Sequence, residues 1–184
     1  MKQIKLFGLT SLLISLIACG QTTQKSVQTT DIPTNWKTIN ESGYMIQYPD
    51  SFDLNKPGQM GTSFILFSKP ISQQDLFREN VNLIIQDLTG QNIDLDKYVQ
   101  ISEGQIKTMI TNGNIIESKR IKAGDSEFQK VLYTGVQGQF NLKFEQCYWI
   151  VKGKAYVLTL TCEISQFDKY KEVGEKIMNS FKIK

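Results

Sequence analysis

Gln146-Cys147-Tyr148-Trp149-Ile150-Val151, then Lys152-Gly153-Lys154, then Ala155-Tyr156-Val157-Leu158-Thr159-Leu160-Thr161-Cys162 is the stretch from which the fold can be read. Two runs of aromatic, β-branched and aliphatic residues flank a glycine turn, which is the pattern of a β-hairpin. With Gly153 and Lys154 as the turn, Cys147 lies opposite Leu160, and Cys162 falls on the same face one diagonal further on. Diagonal neighbours are about 7 to 8 Å apart, beyond the usual reach of a disulfide, so two buried free thiols are favoured over a Cys147–Cys162 bridge. A slip of one residue would put the two cysteines on opposite faces. Tyr148 and Tyr156 are expected to share one face.

Working outward, the hairpin extends into a meander of four strands over about 115–122, 127–136, 139–151 and 155–162. Its turns are 123–126, Gln137-Gly138 and 152–154. Such short turns demand antiparallel neighbours. Beyond it, Phe167, Tyr170, Val173, Ile177, Met178 and Phe181 lie along one face of a helix, with Ser165 and Asp168 as its capping box. Before it, Leu95, Tyr98, Val99, Ser102, Ile106, Met109 and Ile110 recur three or four apart, the period of a helix capped by Asp94 and closed by Asn112-Gly113. Gly104 inside that helix costs about 1 kcal/mol relative to alanine. Earlier still, 36–39, 43–48, 52–55, 63–67 and 79–88 read as strands, the last with Val81, Leu83 and Ile85 alternating with Asn80, Asn82, Ile84 and Gln86. The fold class is α+β, an antiparallel β-sheet flanked by helices.

The N-terminus carries a different message. Lys2 and Lys5 precede an apolar run from Leu6 to Ile17 that ends on small Ala18, the pattern of a secretory signal. The run is shorter than the roughly 20 residues a membrane-crossing helix needs. Leu16-Ile17-Ala18-Cys19 resembles the bacterial lipobox, in which the cysteine is acylated before the signal is cut. That resemblance implies a signal peptide over 1–18, lipid attachment at Cys19 with palmitate among its chains, and a protein held on the membrane without spanning it. Several chains matter, because one at about 0.8 kcal/mol per buried methylene gives only reversible binding. Residues 19–35 hold Val27 and Ile32 as the only aliphatics and are expected to form a flexible tether with a span of about 20 Å. Gly20 after the cysteine resembles lipoproteins placed on the periplasmic face of an outer membrane, where the host has one. An extracytoplasmic compartment also permits disulfides.

Cutting 18 residues from 184 leaves 166, and losing Lys2 and Lys5 leaves 19 of the 21 basic residues against 18 acidic ones, a net +1. Near-neutral charge argues against a nucleic-acid partner, which needs a basic face. Lys119-Arg120-Ile121-Lys122 reads as a solvated strand edge rather than a membrane patch. Residues 36–184 suit a single domain.

Gly43-Tyr44 with Tyr48-Pro49 and Phe52, Glu79-Asn80-Val81-Asn82-Leu83, Tyr156-Val157-Leu158-Thr159-Leu160 and Ser180-Phe181 occur in an order that resembles the PsbP-like superfamily, including the DcrB-type bacterial lipoproteins. The resemblance implies an α/β/α sandwich and a non-enzymatic accessory or adaptor role beside large membrane complexes.

The chemical inventory agrees with that role. The chain has no histidine, which removes Ser-His-Asp and Cys-His arrangements and the common zinc sets. Ser118 and Lys119 are adjacent in a strand and point to opposite faces, so they do not make a Ser-Lys pair. Asp87, Asp94 and Asp96 lack the spacing of a calcium loop, and Asp94 is better placed as a helix cap. Trp36, Trp149, Tyr133, Tyr148 and Tyr156 are assigned to core packing ahead of ligand contact. No catalytic residue, cofactor or metal is expected. The function that follows is a lipid-anchored, extracytoplasmic binding or accessory protein for an envelope component, which would sit at a sheet edge or loop end. A carrier of a small apolar or amphipathic ligand is the alternative, and an atypical hydrolase ranks last.

Overall fold

A computed structural model describes residues 33, 35–56, 61–124 and 126–184. The signal peptide, Cys19 and all of the tether except Pro33 and Asn35 lie outside the described residues. The chain lays down β1 (Lys37–Asn40), β2 (Tyr44–Tyr48), β3 (Phe52–Asn55), β4 (Phe64–Ser68), β5 (Asn80–Asp87) and α1 (Leu95–Met109). The meander follows as β6 (Thr111–Ala123), β7 (Ser126–Gln137), β8 (Phe140–Val151) and β9 (Lys154–Glu163), and α2 (Phe167–Asn179) and β10 (Lys182–Ile183) close the chain.

Seven strands form one sheet in the order β3-β4-β5-β9-β8-β7-β6, with every pair antiparallel. After β5, α1 carries the chain to the far edge, and the meander then returns until β9 pairs with β5. β9 thus ends in the centre of the sheet, with eight of its residues buried in an unbroken run. Lys119, Arg120 and Lys122 lie on β6, an edge strand.

The sheet has two unlike faces. On one, Val81, Leu83, Leu158, Leu160 and Cys162 pack with Phe167, Ile177 and Met178 of α2. A second small sheet, β1-β2-β10, helps to close that face with Ile39, Tyr44 and Ile46; the sequence pattern marks β1 and β2 as strands, but neither β10 nor the separation from the main sheet. Ser180 ties α2 to it: its Oγ accepts from Gln47 N at 2.8 Å and donates to Ile177 O at 2.6 Å. On the other face α1 seats Ile106 against Val131, Tyr133, Tyr148 and Val157. Asp94 Oδ1 caps α1 by accepting from Lys97 N at 2.8 Å.

Four local expectations need correction. The β8–β9 turn is Lys152-Gly153, with Val151 paired to Lys154 and φ of 50° and 71° at the two turn residues. Two positive φ values match the right-handed twist of the strands, and glycine supplies the second without strain. Cys147 therefore pairs with Leu158 and Cys162 with Lys143; the free thiols share a face but stand four residues apart along β8, and both are buried. Tyr148 and Tyr156 lie on opposite faces, because Tyr148 pairs with Val157 and Trp149 with Tyr156, and paired residues share a side while sequence neighbours do not. Ser165 does not cap α2: the turn after β9 is already helical at Gln166 (φ −104°, ψ −10°), which takes the N-cap place without a side-chain bond. Met109, counted on the packed face of α1, is 76% exposed at its last residue.

Candidate functional site

The α1 face of the sheet is only half covered. α1 lies mainly over β6, with contacts to β7 and β8, so the β4, β5 and β9 end of that face stays open. The uncovered part is a cleft of about 720 Å³ that reaches from Phe67 to Phe140 and Tyr133. Leu76 and Phe77, in the connection from β4 to β5, form its outer wall. Leu76 is 74% exposed, and the Phe77 ring meets Phe140 at 5.1 Å between centroids.

Strand register builds the floor in two rows. Asn82, Thr159 and Gln146 pair across β5, β9 and β8, and Asn80, Thr161 and Phe144 pair in the adjacent row. Ile65 and Phe67 extend the rows into β4, while Tyr133 extends the second into β7 and stacks on Phe144 at 4.6 Å and 12°. Five uncharged polar side chains therefore sit side by side on the central strands, enclosed by aromatic walls. Gln146 Nε2 donates to Thr159 Oγ1 at 2.9 Å, Asn82 Nδ2 to Asn80 Oδ1 at 3.2 Å, and Asn80 Nδ2 to Arg78 O at 3.2 Å. Tyr148 donates its hydroxyl to Gln146 Oε1. A smaller cavity of about 290 Å³ beneath α1 shares Ile84, Tyr133 and Gln146 with the cleft.

Among the described residues Arg78 is the one charged side chain lining the cleft, and it is already engaged. Its guanidinium donates to Ser68 O at 2.6 Å and Asp53 Oδ2 at 2.7 Å, and it stands over the Phe67 ring at 5.1 Å. Burial pushes the Tyr133 and Tyr148 phenols well above their usual range, so both stay neutral. Apart from Arg78, the described residues that line the cleft are uncharged.

Elsewhere the ionisable groups serve the fold. Lys130, Glu145 and Glu175 form a half-buried network between the α2 face of the sheet and α2. Burial raises the thiols of Cys147 and Cys162 above their ordinary range, which makes them inert. Asp96 pairs with Arg120, and Asp87 Oδ1 accepts from Thr89 N at 2.8 Å. Among the described residues no group of three or more His, Cys, Asp or Glu side chains is placed to hold a metal, and no helix is long and apolar enough to cross a membrane. Trp149, Tyr133, Tyr148 and Tyr156 are buried, as core packing requires, although Tyr133 also borders the cleft.

Sequence reasoning missed the cleft. Its signal is the alternation Leu158-Thr159-Leu160-Thr161 beside Asn80-Val81-Asn82: polar residues recur on one face of strands that prove to be central.

Helix, seven-stranded antiparallel sheet and helix, with a small sheet closing the α2 side, define a PsbP-like α+β fold. The structure is similar to cyanobacterial PsbP (CyanoP) from Synechocystis sp. PCC 6803, with a TM-score of 0.64 and 14% identity over 84% of this chain and 96% of that one. It is also similar to LpqN, involved in cell envelope biogenesis of Mycobacterium tuberculosis, with a TM-score of 0.60 and 14% identity over 80% of this chain and 90% of that one. No family model and no curated protein matches the sequence.

Proposed function

We propose that this chain is a non-catalytic accessory protein of the cell envelope, anchored through acylated Cys19 on the extracytoplasmic side and working through the open half of its main sheet. The cleft on the α1 face carries this reading: the amides of Asn80, Asn82 and Gln146 and the rings of Phe67, Phe77, Phe140 and Phe144 line a concave surface of about 720 Å³, and a concave site with apolar walls and a few convergent polar groups is the usual form of a binding site. The lipobox-like segment supplies the anchor, and the likeness to LpqN adds an envelope protein of the same fold. The rim includes the 69–79 connection and the β7–β8 turn, loop ends of the kind that meet partners.

In-cell crosslinking of the tagged, anchored protein followed by mass spectrometry tests the proposal. One dominant envelope component captured at near-stoichiometric yield is the expected result. Capture of none would move the function to the second reading, a carrier of a small amphipathic ligand, which the volume of the cleft favours.

A further inference from the structure

We infer that the cleft is a binding site for an uncharged saccharide, an inference that rests on the reading of the open sheet face as the working surface. Three observations converge on this ligand class. First, the walls are rings. Phe67, the Phe77–Phe140 pair and Phe144 backed by Tyr133 offer faces and edges to a flat apolar surface, and the C–H face of a sugar ring is such a surface. Second, the floor is a strip of half-buried amides, Asn80, Asn82 and Gln146, set beside the buried threonines Thr159 and Thr161. Asn82, Thr159 and Gln146 stand in register with about 4.8 Å between neighbouring strands, and Asn80 and Thr161 stand beside them. Each amide has four hydrogen-bonding positions and uses only part of them internally, so capacity remains for ligand hydroxyls as donors and acceptors.

Third, the alternatives fit poorly. An acyl chain would cover the polar strip without replacing its bonds to water, which penalises binding. An anionic ligand would need free positive charge, but Arg78 is held by Asp53 and the Ser68 carbonyl. A saccharide satisfies the strip and the walls together. The cleft volume of about 720 Å³ lies within the range of small-molecule sites, roughly 300 to 1,000 Å³.

The test is a titration of the full acylated chain in a phosphocholine detergent, which carries no sugar, with the side-chain amide resonances of Asn80, Asn82 and Gln146 followed by NMR. The probes are maltotriose and N,N′-diacetylchitobiose as neutral saccharides, digalacturonate as an anionic one and oleate as an acyl chain. A neutral probe should shift these amides saturably at millimolar concentration or below. Asn82→Ala should weaken that binding by roughly 2- to 10-fold, the worth of one or two neutral hydrogen bonds. Phe140→Ala, at the half-exposed rim, should weaken it at least as much without altering the rest of the spectrum. Tighter binding of oleate or digalacturonate at these amides would overturn the saccharide assignment, as would no response to any probe. Should a protein crosslink to the same face while every probe fails, the accessory reading stands and only the saccharide inference falls.

Discussion

Lys130 Nζ lies 2.6 Å from Glu145 Oε1 although the two are not register partners: Lys130 pairs with Cys147, and Glu145 pairs with Leu132. The bond is a diagonal across β7 and β8 on the face beneath α2, and Glu175 of α2 approaches the same ammonium at 3.3 Å. Burial is the largest influence on both groups. On Glu145 it prevails and raises the carboxyl above its usual range; on Lys130 the two carboxylates prevail and raise the ammonium. Removing Lys130 leaves a buried carboxylate without its cation. Lys130→Met should therefore cost about 3 to 5 kcal/mol by urea denaturation at neutral pH, whereas the double replacement Lys130→Met with Glu145→Leu should return to within about 1 kcal/mol of the parent. Equal losses in both variants would contradict this account of the pair.

Gly104 of α1 and Gly174 of α2 should respond in opposite directions to alanine. A Cβ at Gly104 meets nothing within 4 Å, and the site is exposed on α1, so Gly104→Ala should stabilise by about 0.5 to 1 kcal/mol. A Cβ at Gly174 would stand 2.6 Å from Leu160 Cδ2, because α2 lies directly on the central strand there. Leu160 is fully buried and has little room to yield, so the overpacking penalty of about 1 to 3 kcal/mol should exceed the gain in helix propensity. Thermal unfolding of both variants gives the two signs.

Glu79 is 1% exposed and accepts a side-chain bond from Ser68 Oγ at 3.3 Å. Burial raises its carboxyl above the ordinary 4.5. The folded state thus binds its proton more tightly than the unfolded chain does, and the associated stability, full below about pH 4.5, is lost as pH rises through the folded-state value. Glu79→Gln keeps the shape and removes the charge. It should raise the thermal midpoint at pH 7.5 and change it little at pH 4; the same difference at both pH values would show that titration of Glu79 has no part in it.

Cys19→Ala should abolish acylation and leave the signal uncut between residues 18 and 19. Intact-mass analysis of the membrane fraction would then show the parent as an acylated chain beginning at Cys19 and the variant without acyl mass. Recovery of the variant as acylated, membrane-bound protein would sink the lipoprotein reading.

Much of the fold is legible because its signals are local. The alternation in β5, the helical period of Leu95, Tyr98, Val99 and Ile106, and the cap at Asp94 each act within a few residues. Register is less local: placing the turn at Lys152-Gly153 rather than Gly153-Lys154 moves every cross-strand partner by two, which displaced Cys162 from the neighbourhood of Cys147. Pairing of β10 with β2 joins residues far apart in the sequence, Lys182 with Met45 and Ile183 with Tyr44, and no pattern in Lys182-Ile183 announces it. The cleft belongs to this second kind. Asn82, Thr159 and Gln146 become neighbours only when the meander returns to β5, and the cleft above them depends on how far α1 reaches across the sheet.

Position-resolved photocrosslinking in living cells tests the central claim most directly, with the photoreactive residue placed in turn at Leu76 and Phe140 on the cleft rim and at exposed Lys171 on α2. The account predicts that both rim positions capture the same envelope component, at yields well above that from Lys171. Equal capture from all three positions, or a dominant partner reached only from Lys171, would contradict it.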